Sequence, residues 1–241
     1  MNRAICALPG WHYLTRAGRL LAALVLVGAV ALLTSCAPAE REDTTTLSSA
    51  PPPPPTAGTR LEPPRTVANF TLTSHEGEPL SLSDLEGKIV LLYFGYTFCP
   101  DICPASLADF VHVKRNLGEQ ADQVAFVFVS VDGERDTPDV LARYLSAFDP
   151  QFIGLTGEEQ EIRKIGVDYG LFFEKVEVEG TSADYLVDHT AASFLIDSER
   201  QLSVIYAYGT PPEAISNDIL TFLAGSAAPS RPEVPAPSPT E

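Results

Sequence analysis

Basic charge is scarce. The 241-residue chain carries 16 Lys and Arg against 32 Asp and Glu, a formal charge of −16, and lysine occurs only four times. Such a balance offers no electrostatic footprint for nucleic-acid phosphates or anionic lipid headgroups, so neither is expected as a partner. It is compatible with attracting metal cations, although most acidic side chains on such a surface do no more than stay solvated. Cysteine is sparse too. Four residues, Cys6, Cys36, Cys99 and Cys103, are too few for the disulfide framework of a small secreted scaffold. Large apolar side chains are almost missing from residues 37–64, where Thr44-Thr45-Thr46, Ser48-Ser49 and Pro51 through Pro55 leave little to offset ordering entropy. Residues 36–64 are therefore expected to form a tether, stiffened by its polyproline core at about 3.1 Å per residue. The tail, residues 225–241, has a similar composition and is expected to be disordered.

What is present begins with an address. Residues 1–35 carry Arg3, Arg16 and Arg19, then an apolar run from Leu20 to Leu33, the layout of a secretory signal peptide. The following Leu33-Thr34-Ser35-Cys36 resembles a bacterial lipobox. That resemblance implies that Cys36 becomes a diacylated N-terminus, anchoring the chain through lipid on the extracytoplasmic face of a bacterial membrane. Cys6 and His12 then leave with the signal. An uncleaved signal anchor is the competing reading, because the run approaches membrane-spanning length. Both place the domain where disulfides persist, and both leave Cys99 and Cys103 as the cysteines of the folded part.

Residues 65–224 have the size of one domain. Phe70–Thr73 and Pro79–Leu82, joined through Glu76-Gly77, predict a hairpin, and Lys88–Tyr96 a buried strand. Leu107, Phe110, Val111 and Leu117 continue at helical spacing from Cys103, with Gly118 as the stop. Val124–Val131 predicts a strand and Thr137–Phe148 a helix with Pro138 at its first position. A shorter helix over Gln160–Tyr169 precedes strands at Leu171–Glu179, Ala191–Asp197 and Gln201–Tyr208. A helix from Pro212 to Leu223 closes the domain. This order describes an α/β fold: a central mixed sheet flanked by helices, with an N-terminal β-hairpin. The cysteine pair at the end of the first long strand makes it thioredoxin-like, with the site in the crevice beyond that strand.

In Cys99-Pro100-Asp101-Ile102-Cys103 the two cysteines stand at i and i+4, so a helix beginning here puts both sulfurs within reach of one small partner, a bond or a metal. A helix N-terminus also favours thiolate, the form that attacks disulfides and binds metals. A strand-to-helix junction is expected to expose such residues. Asp101 fits a first-turn carboxylate, and Pro100 and Pro104 cannot both be the first residue of the helix. Of the four histidines, His12 lies in the signal, His75 in a polar turn and His112 off the Cys103 stripe. His189 lies in Val187-Asp188-His189-Thr190, a loop entering the strand at Ala191 and facing the cysteine turn. It is either an ordinary loop residue or a ligand.

Three segments together resemble a known family. Gly95-Tyr96-Thr97-Phe98-Cys99-Pro100-Asp101-Ile102-Cys103-Pro104, then Ser130-Val131-Asp132-Gly133-Glu134-Arg135-Asp136-Thr137-Pro138, then Tyr185-Leu186-Val187-Asp188-His189-Thr190 are similar to the signatures of Sco/SenC proteins. The likeness covers about Phe70 to Leu223, and Gly133 departs from it where the family often has proline. It implies a thioredoxin-like, membrane-tethered domain that binds copper through Cys99, Cys103 and His189. It also implies a role in supplying copper to the binuclear copper centre of cytochrome c oxidase, or in keeping that centre's thiols reduced. The expected partners are the copper-centre subunit of the oxidase and other copper chaperones or thiol-disulfide reductases. Two thiolates and an imidazole suit Cu(I), and hold Cu(II) with an added oxygen ligand; structural zinc asks for a fourth protein ligand. Asp188 is either an orienting partner of the imidazole or a turn-capping residue.

The alternative is a thiol-disulfide reductase in which Cys99 attacks and Cys103 resolves. Two features weigh against it: the motif is one residue longer than CxxC, and no proline precedes Ala191, where thioredoxin-like oxidoreductases dock their substrate. A peroxidase lacks an identifiable activating arginine in the motif. A metal-free redox sensor is a third possibility for a reactive dithiol.

Overall fold

Ile89–Gly95 and Val124–Ser130 are buried at every position, the continuous pattern of strands covered on both faces. In the computed structural model, which describes residues 57–178 and 184–226, these two runs lie side by side and parallel. The elements follow in the order β1 (Thr59–Thr66), β2 (Thr71–Ser74), β3 (Pro79–Ser81), β4 (Ile89–Gly95), α1 (Ile102–Leu117), β5 (Val124–Ser130), α2 (Pro138–Ser146), β6 (Ile153–Thr156) and α3 (Glu159–Gly166). Then come β7 (Phe173–Glu177), β8 (Tyr185–His189), β9 (Ala192–Ile196), β10 (Gln201–Ala207) and α4 (Pro212–Ser226). Eight strands form one sheet in the order β1-β10-β9-β4-β5-β6-β2-β3, and β7 pairs with β8 alone. The pairs β4·β5 and β5·β6 are parallel; every other pair is antiparallel.

The helices follow from their residues. In α1 the buried side chains Cys103, Leu107, Phe110, Val113 and Leu117 recur at spacings of three and four, which puts them on one face over the sheet. Lys114 and Arg115 occupy its last turn, where cations offset the negative end of the dipole. Gly118 ends the helix at φ 56°, a left-handed value that glycine adopts without Cβ strain. Pro138 begins α2 at a position whose N–H would have no intrahelical partner, and Thr137 Oγ1 accepts from the Val140 amide at 3.4 Å.

Four boundaries differ from the sequence reading. The tether was expected to reach residue 64, yet Thr59–Thr66 is a strand paired with β10. Its register shifts between Arg60 and Arg65, so Pro63 and Pro64 fall in an irregularity on an edge strand, where a missing N–H breaks no ladder. Leu61 packs on the core. The segment before Ala191, read as a loop, is the strand β8. The expected hairpin exists as β2–β3, but β2 also pairs with β6, which leaves β3 as the edge strand. The tail was expected from residue 225, whereas α4 continues through Ser226. Residues 1–35, Cys36, the tether up to residue 56 and the tail beyond 226 lie outside the described residues. Among those described, no helix is long and apolar enough to cross a membrane.

One buried carboxylate ties the strand ends together. Asp136, in the loop after β5, is completely buried. It accepts from the Thr97 amide at 3.0 Å, the Thr97 hydroxyl at 2.6 Å and the Ser130 hydroxyl at 2.7 Å. Burial pushes its carboxyl above the ordinary value, against three donors that favour the charge. Thr97 lies two residues before Cys99, so this clamp sets where the cysteine loop leaves β4. Asp136→Ala leaves one buried and two half-buried donors unpaired and is expected to lower the unfolding free energy by about 2 kcal/mol, read as a lower urea midpoint at unchanged m.

Candidate metal centre

Cys103 belongs to the first turn of α1, and its Sγ lies against the end of β4. A Cβ on Gly95 would stand 2.9 Å from that sulfur and 2.8 Å from the Phe128 ring, so only glycine lets helix and strand approach this closely. Cys99 precedes the helix, in a turn where its amide donates to the Tyr96 carbonyl at 3.3 Å. The Cys103 amide donates to Cys99 Sγ at 3.4 Å. An unpaired donor at the helix N-terminus therefore points at the first sulfur. Pro104 takes the third helical position, where no intrahelical bond is lost, and Pro100 stays outside the helix. Asp101 is the N-cap residue, exposed and making no side-chain capping bond.

The third donor arrives from the separate hairpin. His189 ends β8, opposite Phe173 of β7, and its Nε2 lies 3.3 Å from Cys103 Sγ. Its Nδ1 lies 3.1 Å from the Thr190 carbonyl. A carbonyl only accepts, so Nδ1 carries the proton in this bond and Nε2 keeps its lone pair toward the sulfurs. The rings of Tyr93 and Tyr96 meet the imidazole edge-on, at centroid distances of 6.0 and 5.8 Å. The Tyr93 hydroxyl lies 3.8 Å from Cys103 Sγ. Donor atoms of Cys99, Cys103 and His189 all fall within 4.8 Å of one another, the single cluster of this kind among the described residues.

The structure thus brings together the three residues singled out in sequence, but not in the expected setting. Both sulfurs are buried, Cys99 at 8% and Cys103 at 0% exposure, because the hairpin covers a junction that sequence reasoning took to be open. Asp188 does not orient His189. Its side chain is exposed, alternation along β8 turns it to the other face, and the imidazole bonds to a backbone carbonyl instead. His75 accepts from the Gly154 amide at 3.1 Å, a turn contact, and His112 is exposed.

The two thiols titrate apart. Hydrogen bonding from the Cys103 thiol, with further bonds from the backbone amides of Asp101 and Cys103, lowers Cys99 to about 3 against the penalty of burial. Hydrogen bonding to Cys99, together with burial, pushes Cys103 well above the ordinary thiol value. The pair therefore carries one proton and one negative charge at neutral pH, a thiolate beside a thiol. No disulfide joins them in this structure; both cysteines are free.

Sequence reasoning missed the side chains that brace this centre. Asp132, Arg135 and Asp136 follow the end of β5 and Tyr185 begins β8. They surround the site through Thr97, Phe98 and the hairpin. The usable signal was the position of Asp132-Gly133-Glu134-Arg135-Asp136 just beyond the carboxyl end of a parallel strand, next to the one that leads to the cysteines.

Comparison with known proteins agrees with this geometry. The family model described as SCO1/SenC matches residues 58–224. A SCO2-like protein of Rickettsia felis is 36% identical over 159 residues, covering 66% of this chain and 75% of that protein. The copper-bound structure of Bradyrhizobium japonicum ScoI is 38% identical with a TM-score of 0.60, covering 65% of this chain and 99% of that one. Copper-bound ScoI of Arabidopsis thaliana is 32% identical with a TM-score of 0.62, covering 66% and 99%. The shared fold is thioredoxin-like. Since the match runs from the edge strand β1 into α4 and takes in all three segments that meet at the cysteines, the chain belongs to the SCO1/SenC family.

Proposed function

We propose that this chain is a copper carrier tethered to the extracytoplasmic face of a bacterial membrane. It holds one copper ion through Cys99, Cys103 and His189 and passes it to the binuclear copper centre of cytochrome c oxidase during assembly. The observation that carries this reading is the convergence of two sulfurs and one unprotonated imidazole nitrogen inside 4.8 Å. Two soft thiolate donors and one nitrogen suit Cu(I), whereas a structural zinc site would call for a fourth protein ligand. The similar proteins from B. japonicum and A. thaliana were solved with copper bound. The donors come from three separate elements: a loop, a helix and a hairpin. An acceptor's own thiols can therefore replace them one at a time. Tethering through a lipid on Cys36 would keep the carrier beside a membrane-embedded acceptor. Upstream, a copper donor and a thiol-disulfide reductase would have to load the site and keep the dithiol reduced.

Thiol chemistry is the second reading, favoured by the lowered Cys99 and the backing Cys103. Cys99 thiolate would attack a partner disulfide and release one partner thiolate. Cys103 would then attack the Cys99 sulfur of the mixed disulfide and release the second partner thiolate, leaving Cys99–Cys103 oxidised and the partner reduced by two electrons. Burial of both sulfurs makes such a docking step harder than entry of a single ion.

Three outcomes test these readings. His189→Ala is expected to weaken copper retention against a competing chelator by more than about tenfold, and to abolish the wild-type sulfur-to-Cu(II) charge-transfer band, while the dithiol still oxidises. Unchanged retention together with fast disulfide exchange on model substrates would hand the site to the reductase reading. Because Cys99 is lowered to about 3, its thiolate is fully present above that value and is lost only as pH falls through it. Alkylation of the reduced, metal-free protein, followed by mass spectrometry, should therefore favour Cys99 over Cys103. Its rate should stay nearly flat between about pH 5 and pH 8. Cys36→Ser in the full-length chain is expected to abolish lipid labelling at that site; labelling that persists in the variant would contradict the anchor.

A further inference from the structure

Arg135 touches both halves of the metal centre. On one side its guanidinium carbon lies 3.7 Å from the centroid of the Tyr185 ring, and its Nη1 donates to the Tyr185 carbonyl at 3.0 Å. On the other it lies 4.8 Å from the Phe98 ring and 5.8 Å from the Tyr96 ring. Phe98 immediately precedes Cys99, and Tyr185 begins the strand that ends at His189. The arginine is itself held by Asp132, whose carboxylate is completely buried and pairs with Arg135 Nε. The other Asp132 oxygen accepts the Tyr185 hydroxyl at 2.7 Å. One side chain thus spans the cysteine loop and the histidine hairpin, and its anchor grips the same hairpin a second time.

The hairpin needs such a brace, because among the described residues β7 and β8 pair only with each other and share no ladder with the main sheet. Two of its other polar ties are open to solvent. Lys175 reaches Glu134 at 2.9 Å, but the glutamate side chain is 72% exposed, and pairs so open to solvent contribute little. Arg163 donates to the Phe173 carbonyl at 3.2 Å from a side chain that is 45% exposed. Lysine could not replace Arg135, since only a planar fork donates along its edge to Asp132 and Tyr185 while stacking its face on a ring.

We propose that Arg135, anchored by Asp132, is a positioning residue that sets the spacing between the cysteine loop and the β7–β8 hairpin. It thereby presents His189 Nε2 to the sulfurs. The proposal rests on the copper reading of the site, and it places the residue's effect on copper in His189 rather than in general support of the fold.

The test is a double-substitution cycle in the full-length protein, with retention of copper against a chelator as one readout. The other is amide hydrogen exchange of the metal-free protein. Arg135→Gln is expected to weaken retention about tenfold, the usual size for a group that orients a ligand. In the His189→Ala background the same change should alter retention by less than about twofold. Arg135→Lys should not restore retention. Exchange of the Tyr185–His189 amides should quicken about tenfold, with the centre of β4 and β5 unchanged. Equal losses of retention in both backgrounds, or unaltered exchange in β8, would overturn the proposal. A wild type that does not hold copper would overturn the copper reading alone, and the exchange comparison would still decide whether Arg135 sets the hairpin. Should Arg135→Gln fail to fold, Tyr185→Phe removes the hydroxyl bonds to Asp132 and Glu134 while keeping the ring that Arg135 stacks on, and it carries the same comparisons.

Discussion

The sulfur of Cys103 is the point at which the structure closes on itself. It stands in the first turn of α1, against a glycine at the end of β4 and 3.3 Å from an imidazole that ends β8. Each neighbour needs the others. Without the missing Cβ at Gly95 the helix could not come down on the strand. Without the hairpin the sulfurs would face water, and the helix N-terminus would have no buried charge to stabilise.

Burial then decides the chemistry. A lone buried thiolate is costly, and here it is accepted because donors surround it: the Cys103 thiol and the backbone amides at the start of the helix. The same desolvation pushes the second thiol the opposite way. An incoming soft cation would find one negative charge already in place and would displace a single proton to obtain the second. The Nδ1 bond to the Thr190 carbonyl meanwhile keeps Nε2 free as a donor. The strongly acidic surface of the chain is consistent with cationic cargo, but the site itself uses no exposed carboxylate.

The loop after β5 is where fold and site are joined. Asp136 holds the chain that enters the cysteine motif, and Asp132 with Arg135 holds the hairpin that brings the histidine. Three residues of one loop therefore brace the segments that carry Cys99 and His189 without contributing a donor. Their identities could be quoted from the sequence as part of a resemblance, yet their contacts could not. Thr97 lies 39 residues from Asp136, and Tyr185 lies 53 from Asp132. No local periodicity encodes pairs at such separations. The edge strand β1 was hidden for a different reason: its two prolines read as tether, and only the register shift that accommodates them shows that they sit within a strand. In β8, three polar or ionisable side chains in five residues masked a short strand whose partner is β7 alone.

By itself the sequence determined the continuous apolar strands β4 and β5, the stripe and glycine stop of α1, and the capped start of α2. It also determined the candidate donors Cys99, Cys103 and His189. These follow from spacing, burial pattern and backbone preference over a few residues, which are local properties. Tertiary structure alone decided that the sulfurs are buried, that Nε2 rather than Nδ1 faces them, that Asp188 points away and that Arg135 bridges the two ligand-bearing segments. Those outcomes depend on how a separate hairpin docks onto the sheet, and docking is settled by contacts between residues far apart in the chain, where linear spacing carries no information.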